Sequence, residues 1–142
     1  MKTYVFLADG FEILETFAPV DVLKRCGADV VTVSTEKDLF VASSQKNIIK
    51  ADVMLSDIDY KAADLVIIPG GYPGYVNLRE NKEVVDILSL KYDYHNLKVL
   101  IKSKVFEKDN TNLLMNAGTI DITKFKTKSE TQSLDLPEEI LE

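Results

Sequence analysis
Carboxylates, a glycine pair and a few isolated nucleophilic side chains are what this sequence offers for chemistry. Glu12 and Glu15 follow the apolar run Tyr4-Val5-Phe6-Leu7-Ala8 and its Asp9-Gly10 stop, at the opening of a segment with helical periodicity. A carboxylate in a first helical turn is favoured by the helix dipole, so either acid reads as an exposed, dipole-matched group. The same position also places an acid over the carboxyl edge of the preceding strand, where it could serve as an acid, a base or the partner of a thiol. Pro69-Gly70-Gly71 follows a second apolar run, Asp64-Leu65-Val66-Ile67-Ile68. Paired glycines let backbone N–H groups approach a ligand or adopt positive φ. The turn therefore reads either as an oxyanion- or anion-binding turn at Gly70 and Gly71, or as a tight connection from strand to helix. It is not a nucleotide fingerprint, because the glycine spacings that cradle phosphates are absent.

Nucleophiles are scarcer. Cys26 is the one cysteine, and it falls at the end of the first helical segment, away from the strand carboxyl ends. His95 is the one histidine and lies among Tyr92, Asp93, Tyr94 and Asn96, in a connection expected to lead into a strand. That puts it at the amino end of the sheet, where a surface role fits best. Ser103 stands between Lys102 and Lys104 with no histidine placed to activate it. One cysteine and one histidine exclude an internal disulfide, a Cys-rich zinc site and a multi-His metal site. No metal site and no cofactor are expected.

The elements that must position these groups are legible over the first hundred residues. Tyr4–Ala8 is a short, continuously apolar run of the kind buried on both faces of a parallel sheet, and Asp29–Ser34, Asp64–Ile68 and Lys98–Ile101 read as further strands. Between the first two, Ile13, Leu14, Phe17, Val20 and Leu23 recur at helical steps from Glu12 to Cys26. Pro19 should kink that helix or split off its first turn, and Gly27 should stop it. Leu39–Ala42 and Asn47–Ala51 flank the polar turn Ser43-Ser44-Gln45-Lys46 as a small hairpin. Asn81 can cap a helix through Leu90. Strand, helix, strand, hairpin, strand, helix, strand is the grammar of a doubly wound α/β domain, whose ligands sit beyond the strand carboxyl ends at the topological switch point. After Ile101 the rhythm fades: Phe106 and Leu113-Leu114-Met115 suggest short strands and Gly118 a turn. Residues 123–142 read as a polar, poorly ordered tail in which only Pro137–Leu141 offers a helical turn.

Composition narrows the class further. The 142 residues are 46% apolar, with 17 basic against 23 acidic side chains and a net charge of −6. That is ordinary for one globular domain, and a poor electrostatic footprint for nucleic acid. No apolar run approaches the ~20 residues that span a bilayer, and the run before Asp9 is too short for a signal peptide. The expectation is a cytoplasmic protein that binds neither nucleic acid nor membrane.

Several motifs in register resemble one family. Val5-Phe6-Leu7-Ala8-Asp9-Gly10-Phe11-Glu12 with Glu15, then Pro19 to Val30, resemble the opening of the ThiJ/PfpI family, the DJ-one-like proteins with a class I glutamine-amidotransferase-like fold. The similarity continues through Lys50-Ala51-Asp52, Leu55-Ser56-Asp57, Asp64 to Gly74, Asn77 to Glu80 and Val84 to Leu88, and covers about residues 1–101. The resemblance implies a flavodoxin-like fold, a homo-oligomer associating through the first helix, and a reactive cysteine on a strained elbow. It implies that Glu15 is the thiol-partner glutamate and that Gly71 lends a backbone N–H to an oxyanion hole. Family activities include glyoxalase- or deglycase-type chemistry on small dicarbonyls, amidase or peptidase activity, and redox-linked chaperone roles, the thiolate acting as nucleophile or sensor.

Here the sequence departs from that pattern. The elbow should follow Ile101 with a cysteine and small residues, but the chain reads Lys102-Ser103-Lys104-Val105-Phe106. Nothing there permits a sharp turn or supplies a thiol. Val105 to Asn110 and Leu113 to Thr119 resemble a later family segment, as though the elbow, its helix and the following strands had been left out. The expectation is thus a mainly parallel flavodoxin-like α/β domain over residues 1–122, incomplete on its C-terminal side and catalytically inactive as a pseudoenzyme or shortened form. An active enzyme on small carbonyl compounds or amides using Glu15 and a bound water, and a chaperone or binding module, are the alternatives.

Overall fold
The computed structural model describes residues 1–123, in two units that divide between Val85 and Asp86. The expected tail, 123–142, lies outside the described residues beyond Thr123. In the first unit, β1 (Lys2–Leu7), β2 (Asp29–Ser34), β5 (Val53–Met54) and β6 (Leu65–Ile67) form one parallel sheet in the order β5-β2-β1-β6. The register runs from Lys2 opposite Asp29 to Leu7 opposite Ser34, and from Thr3 opposite Leu65 to Val5 opposite Ile67. β1 is central, so Val5, Phe6 and Leu7 are fully buried, which is why this stretch is apolar without alternation. The chain leaves β1 toward β2 on one side and later returns to β6 on the other, which makes the β1–β6 boundary the switch point.

α1 (Ile13–Arg25) carries the chain from β1 to β2 and is continuous through Pro19, so the proline does not split it. Its end is a glycine stop: Gly27 has φ +80 and donates to the Lys24 carbonyl, while Ala28 donates to that of Leu23. The α1 side of the sheet is sealed by Val5, Leu7, Phe11, Val20, Val30, Val41 and Ala51. The hairpin forms as β3 (Phe40–Ala42) and β4 (Ile48–Lys50), paired antiparallel. It is held to the β1 loop, for Gly10 donates to the Ala42 carbonyl at 2.7 Å and Ala42 to the Asp9 carboxylate at 2.8 Å. α2 (Gly74–Glu80) follows the glycine turn and had no counterpart in the sequence reading, nor had the two-residue β5. Seven residues with glycine at the start are too short for a helical period to stand out.

The expectation for the second half needs correction. Asn81 does cap α3, accepting from the Val84 N–H, but α3 runs from Lys82 to Val105 instead of stopping at Leu90. Lys98–Ile101 is therefore helical, and His95 sits in mid-helix. No glycine or proline interrupts residues 82–105. The buried positions of the second unit's part of α3 are Asp93, Asn96, Val99 and Ser103, a helical stripe three-quarters polar. An apolar period could not reveal it.

The region after α3 is held to it by side-chain straps. The Asp93 carboxylate accepts from Thr119 N–H at 2.9 Å, Thr119 Oγ1 at 2.6 Å and Ile120 N–H at 3.2 Å. Asn96 bonds the Met115 backbone in both directions, and His95 Nε2 lies 3.0 Å from the Leu113 carbonyl. Phe106 and Leu113–Met115 are not strands, and a 3₁₀ turn covers Thr111–Leu113. With their backbone groups engaged by α3 side chains, no sheet partner is needed. Gly118 lies in a bend, where an added Cβ would run into the Asp93 carboxylate.

Candidate functional site
The loops after β1 and β6 meet over the carboxyl ends of the two strands. Glu12 and Glu15 have separate duties there. Glu12 caps α1, its Oε2 accepting from the Glu15 N–H at 2.7 Å, a bond that also suits the dipole. Glu15, in the first turn of the helix, turns its own carboxylate across the crevice. Its Oε2 accepts from the Gly70 N–H at 2.6 Å, while the Glu12 N–H donates back to the Gly70 carbonyl at 2.9 Å. Charge-assisted bonds of this kind are about twice as strong as neutral ones. The Glu15 side chain remains exposed at the mouth of the crevice.

The glycines explain how the loops approach so closely. A Cβ at Gly70 would stand 2.6 Å from Glu15 Oε2, so a larger residue would displace the carboxylate. Gly71, at φ +94, faces the Gly10 carbonyl and the Glu12 N–H, and its own carbonyl accepts from Tyr75 at the start of α2. The resemblance implied Gly71 as the glycine whose backbone N–H serves the site. The structure gives the carboxylate to Gly70 and uses Gly71 to press the backbone against the β1 loop.

Gly10 and Gly74 fall within the two loops that the sequence places beyond the strand ends, 9–15 and 69–74, without being singled out there. Gly10 has φ +93 and meets Pro73, which follows a cis peptide bond, and Gly74 meets the Gly10 and Phe11 backbone. Asp9 opens the first of these loops, and its linking role was not read from the sequence. Its carboxylate holds Ala42, its N–H donates to Glu36 Oε1 at 2.8 Å, and its carbonyl accepts from Asn77 Nδ2 at 2.8 Å. One residue thus ties the β1 loop to the hairpin, the loop after β2 and α2.

The remaining candidates are elsewhere. Cys26 is the exposed C-cap of α1, eleven residues beyond Glu15, or roughly 16 Å along the axis. Ser103 is buried in the last turns of α3, where its Oγ accepts from the Asn110 N–H at 3.2 Å. Among the described residues, no group of three or more His, Cys, Asp or Glu side chains could hold a metal ion, and no helix is long and apolar enough to cross a membrane.

Known proteins are similar to this chain over its first hundred residues. The model of the DJ-1/PfpI family matches residues 1–101, ending four residues before the end of α3. Protein DJ-1 homolog B of Arabidopsis thaliana is 37% identical over 82 residues, which are 58% of this chain and 19% of that protein. Parkinson disease protein 7 homolog of Danio rerio is 35% identical over 88 residues, 61% of this chain and 47% of the relative. The structure of oxidized Toxoplasma gondii DJ-1 superposes with a TM-score of 0.60 at 31% identity, covering 69% of this chain and 51% of that one. This chain therefore spans no more than about half the length of these relatives.

Proposed function
Because the chain belongs to the DJ-1/PfpI family, we propose that its domain keeps the acid-and-glycine half of a family-type site while being catalytically inactive, a pseudoenzyme. The observation that carries this reading is the Glu15 carboxylate on the Gly70 N–H at 2.6 Å in a chain whose single cysteine is at the other end of the same helix. A thiolate must reach its substrate within about 3–3.5 Å to attack it, and Cys26 cannot do so from a crevice roughly 16 Å away. The segment after Ile101 offers no substitute: residues 98–105 are helical, and Ser103 is buried and engaged with Asn110. Among the described residues, the Glu15 carboxylate is hydrogen-bonded to the Gly70 amide and to no thiol or hydroxyl.

The ligand class that this reading carries is a small carbonyl compound, bound without turnover. The same reading takes the protein as a cytoplasmic homo-oligomer, and Leu14, 73% exposed on α1, supports the association. Methylglyoxal consumption by wild type and Glu15→Gln tests the proposal. Both should match the protein-free rate, and consumption that depends on Glu15 would replace this reading with an active enzyme.

A further inference from the structure
The glycine turn carries two aromatic rings that the bond between Glu15 and Gly70 does not use. Tyr72 and Tyr75 are 74% and 51% exposed, with ring centroids 6.2 Å apart and planes inclined at 54°. At that spacing one cation can stand about 5 Å from both centroids at once, inside the roughly 6 Å reach of a cation–π contact. The backbone beneath the rings is fixed. Gly74 lies against the Gly10 and Phe11 backbone, and the Tyr75 N–H donates to the Gly71 carbonyl at 3.0 Å. Tyr72 is two residues beyond Gly70, so its Cα lies within about 7 Å of the glycine that holds the Glu15 carboxylate.

The charge of the two loops matches a cation. Residues 9–15 and 69–75 hold Asp9, Glu12 and Glu15 and no lysine or arginine. Asp9 is taken up by Ala42 and Glu12 by the cap of α1, while the exposed Glu15 carboxylate is turned to the glycine turn. One carboxylate beside two rings offers too few oxygen ligands for a metal ion. A primary ammonium is compact and strongly hydrated, and ring faces return little for the water it would lose. A quaternary ammonium donates no hydrogen bonds, so aromatic faces serve it well. A phosphate-bearing headgroup would need a base, which these loops lack.

We propose that Tyr72, Tyr75 and Glu15 form a binding site for a small quaternary ammonium compound, its head against both rings and its charge toward the Glu15 carboxylate. The site goes beyond the carbonyl ligand of the preceding reading and is tested apart from it. Methylglyoxal carries no charge, and tetramethylammonium has no carbonyl group, so neither result decides the other.

Titrating tetramethylammonium chloride into the isotope-labelled full chain, with sodium chloride as the ionic-strength control, tests this through amide chemical shifts. The Gly70, Tyr72 and Tyr75 amides should shift saturably, with a dissociation constant in the millimolar range expected of so small a ligand. Choline should reproduce the shifts, and dimethylbutanol, its uncharged tert-butyl isostere, should not. Tyr72→Leu and Tyr75→Leu should each weaken binding about fivefold, and Tyr72→Phe, which keeps the ring, less than about twofold. Glu15→Gln should weaken it about threefold. Tyr94→Leu, on α3, should change nothing. Each substituted side chain is exposed, so the fold is expected to be kept. Shifts no larger than those from sodium chloride, equal shifts from the uncharged isostere, or binding indifferent to the loss of either ring would each overturn the proposal. Binding seen only with phosphatidylcholine vesicles would overturn it as well.

Discussion

The two units of this chain are held by different forces. In the first, a central strand with Val5, Phe6 and Leu7 fully buried organises a sheet, a helix and a hairpin around an apolar core. In the second, the buried side of α3 is Asp93, Asn96, Val99 and Ser103, and the following chain is strapped to it by side-chain hydrogen bonds. Apolar packing is non-directional and tolerates adjustment, whereas a buried polar strap is an all-or-nothing arrangement of donors and acceptors. The first unit should respond to lost volume, and the second to a lost partner.

The largest effect separating them should come from Phe11, fully buried where the β1 loop meets α1, its ring 6.4 Å edge-on from Phe17. Phe11→Ala should cost about 3–5 kcal/mol in denaturant unfolding of the first unit. Next is Asp93→Ala, which orphans the Thr119 and Ile120 amides. It should cost about 2–3 kcal/mol locally, read as faster amide exchange at residues 119–120 while amides of β1 stay protected. A loss of protection in β1 as well would mean that the units do not respond separately.

Gly71→Ala should cost about 1–2 kcal/mol from its positive φ alone, with further loss from the close Gly10 and Glu12 backbone. Its readout is the Gly70 amide, which should exchange faster as the turn is pushed away from Glu15.

The smallest effect is a pH dependence within the first unit. Burial pushes the Asp52 carboxyl up, but bonds from the Thr32 N–H and hydroxyl outweigh it and hold the carboxyl below its ordinary range. A depressed carboxyl contributes stability that is present above its unfolded value of about 3.9 and is lost as pH falls through the lower folded value. Asp52→Asn should therefore unfold at a midpoint that falls less than wild type below about pH 4, and parallel acid limbs would remove Asp52 from the account.

The same contrast explains what the sequence disclosed. Strands β1, β2 and β6, helix α1, its Gly27 stop and the β3–β4 hairpin are written in apolar period and turn chemistry, and the structure places them as read. Glu15 and the glycine turn were also visible, because both stand at strand ends. Which glycine receives the carboxylate was not, since that depends on Gly71 closing on Gly10 and Glu12, residues far from it in sequence. The linking role of Asp9 was hidden for the same reason. α3 was misread because Val99-Leu100-Ile101 looks like a strand when Asp93, Asn96 and Ser103 are taken for surface residues. Their burial depends on partners from 110 to 120 that no local pattern announces.

The central claim is that an acid and a glycine turn persist here without a nucleophile. Methylglyoxal depletion measured side by side for wild type, Glu15→Gln and Cys26→Ser tests it most directly. The account predicts three traces that coincide with the protein-free control, because Glu15 has no thiol to activate and Cys26 lies roughly 16 Å away along α1. Wild-type depletion above control that is abolished by Glu15→Gln would contradict it, and abolition by Cys26→Ser as well would show that the cysteine reaches the crevice after all.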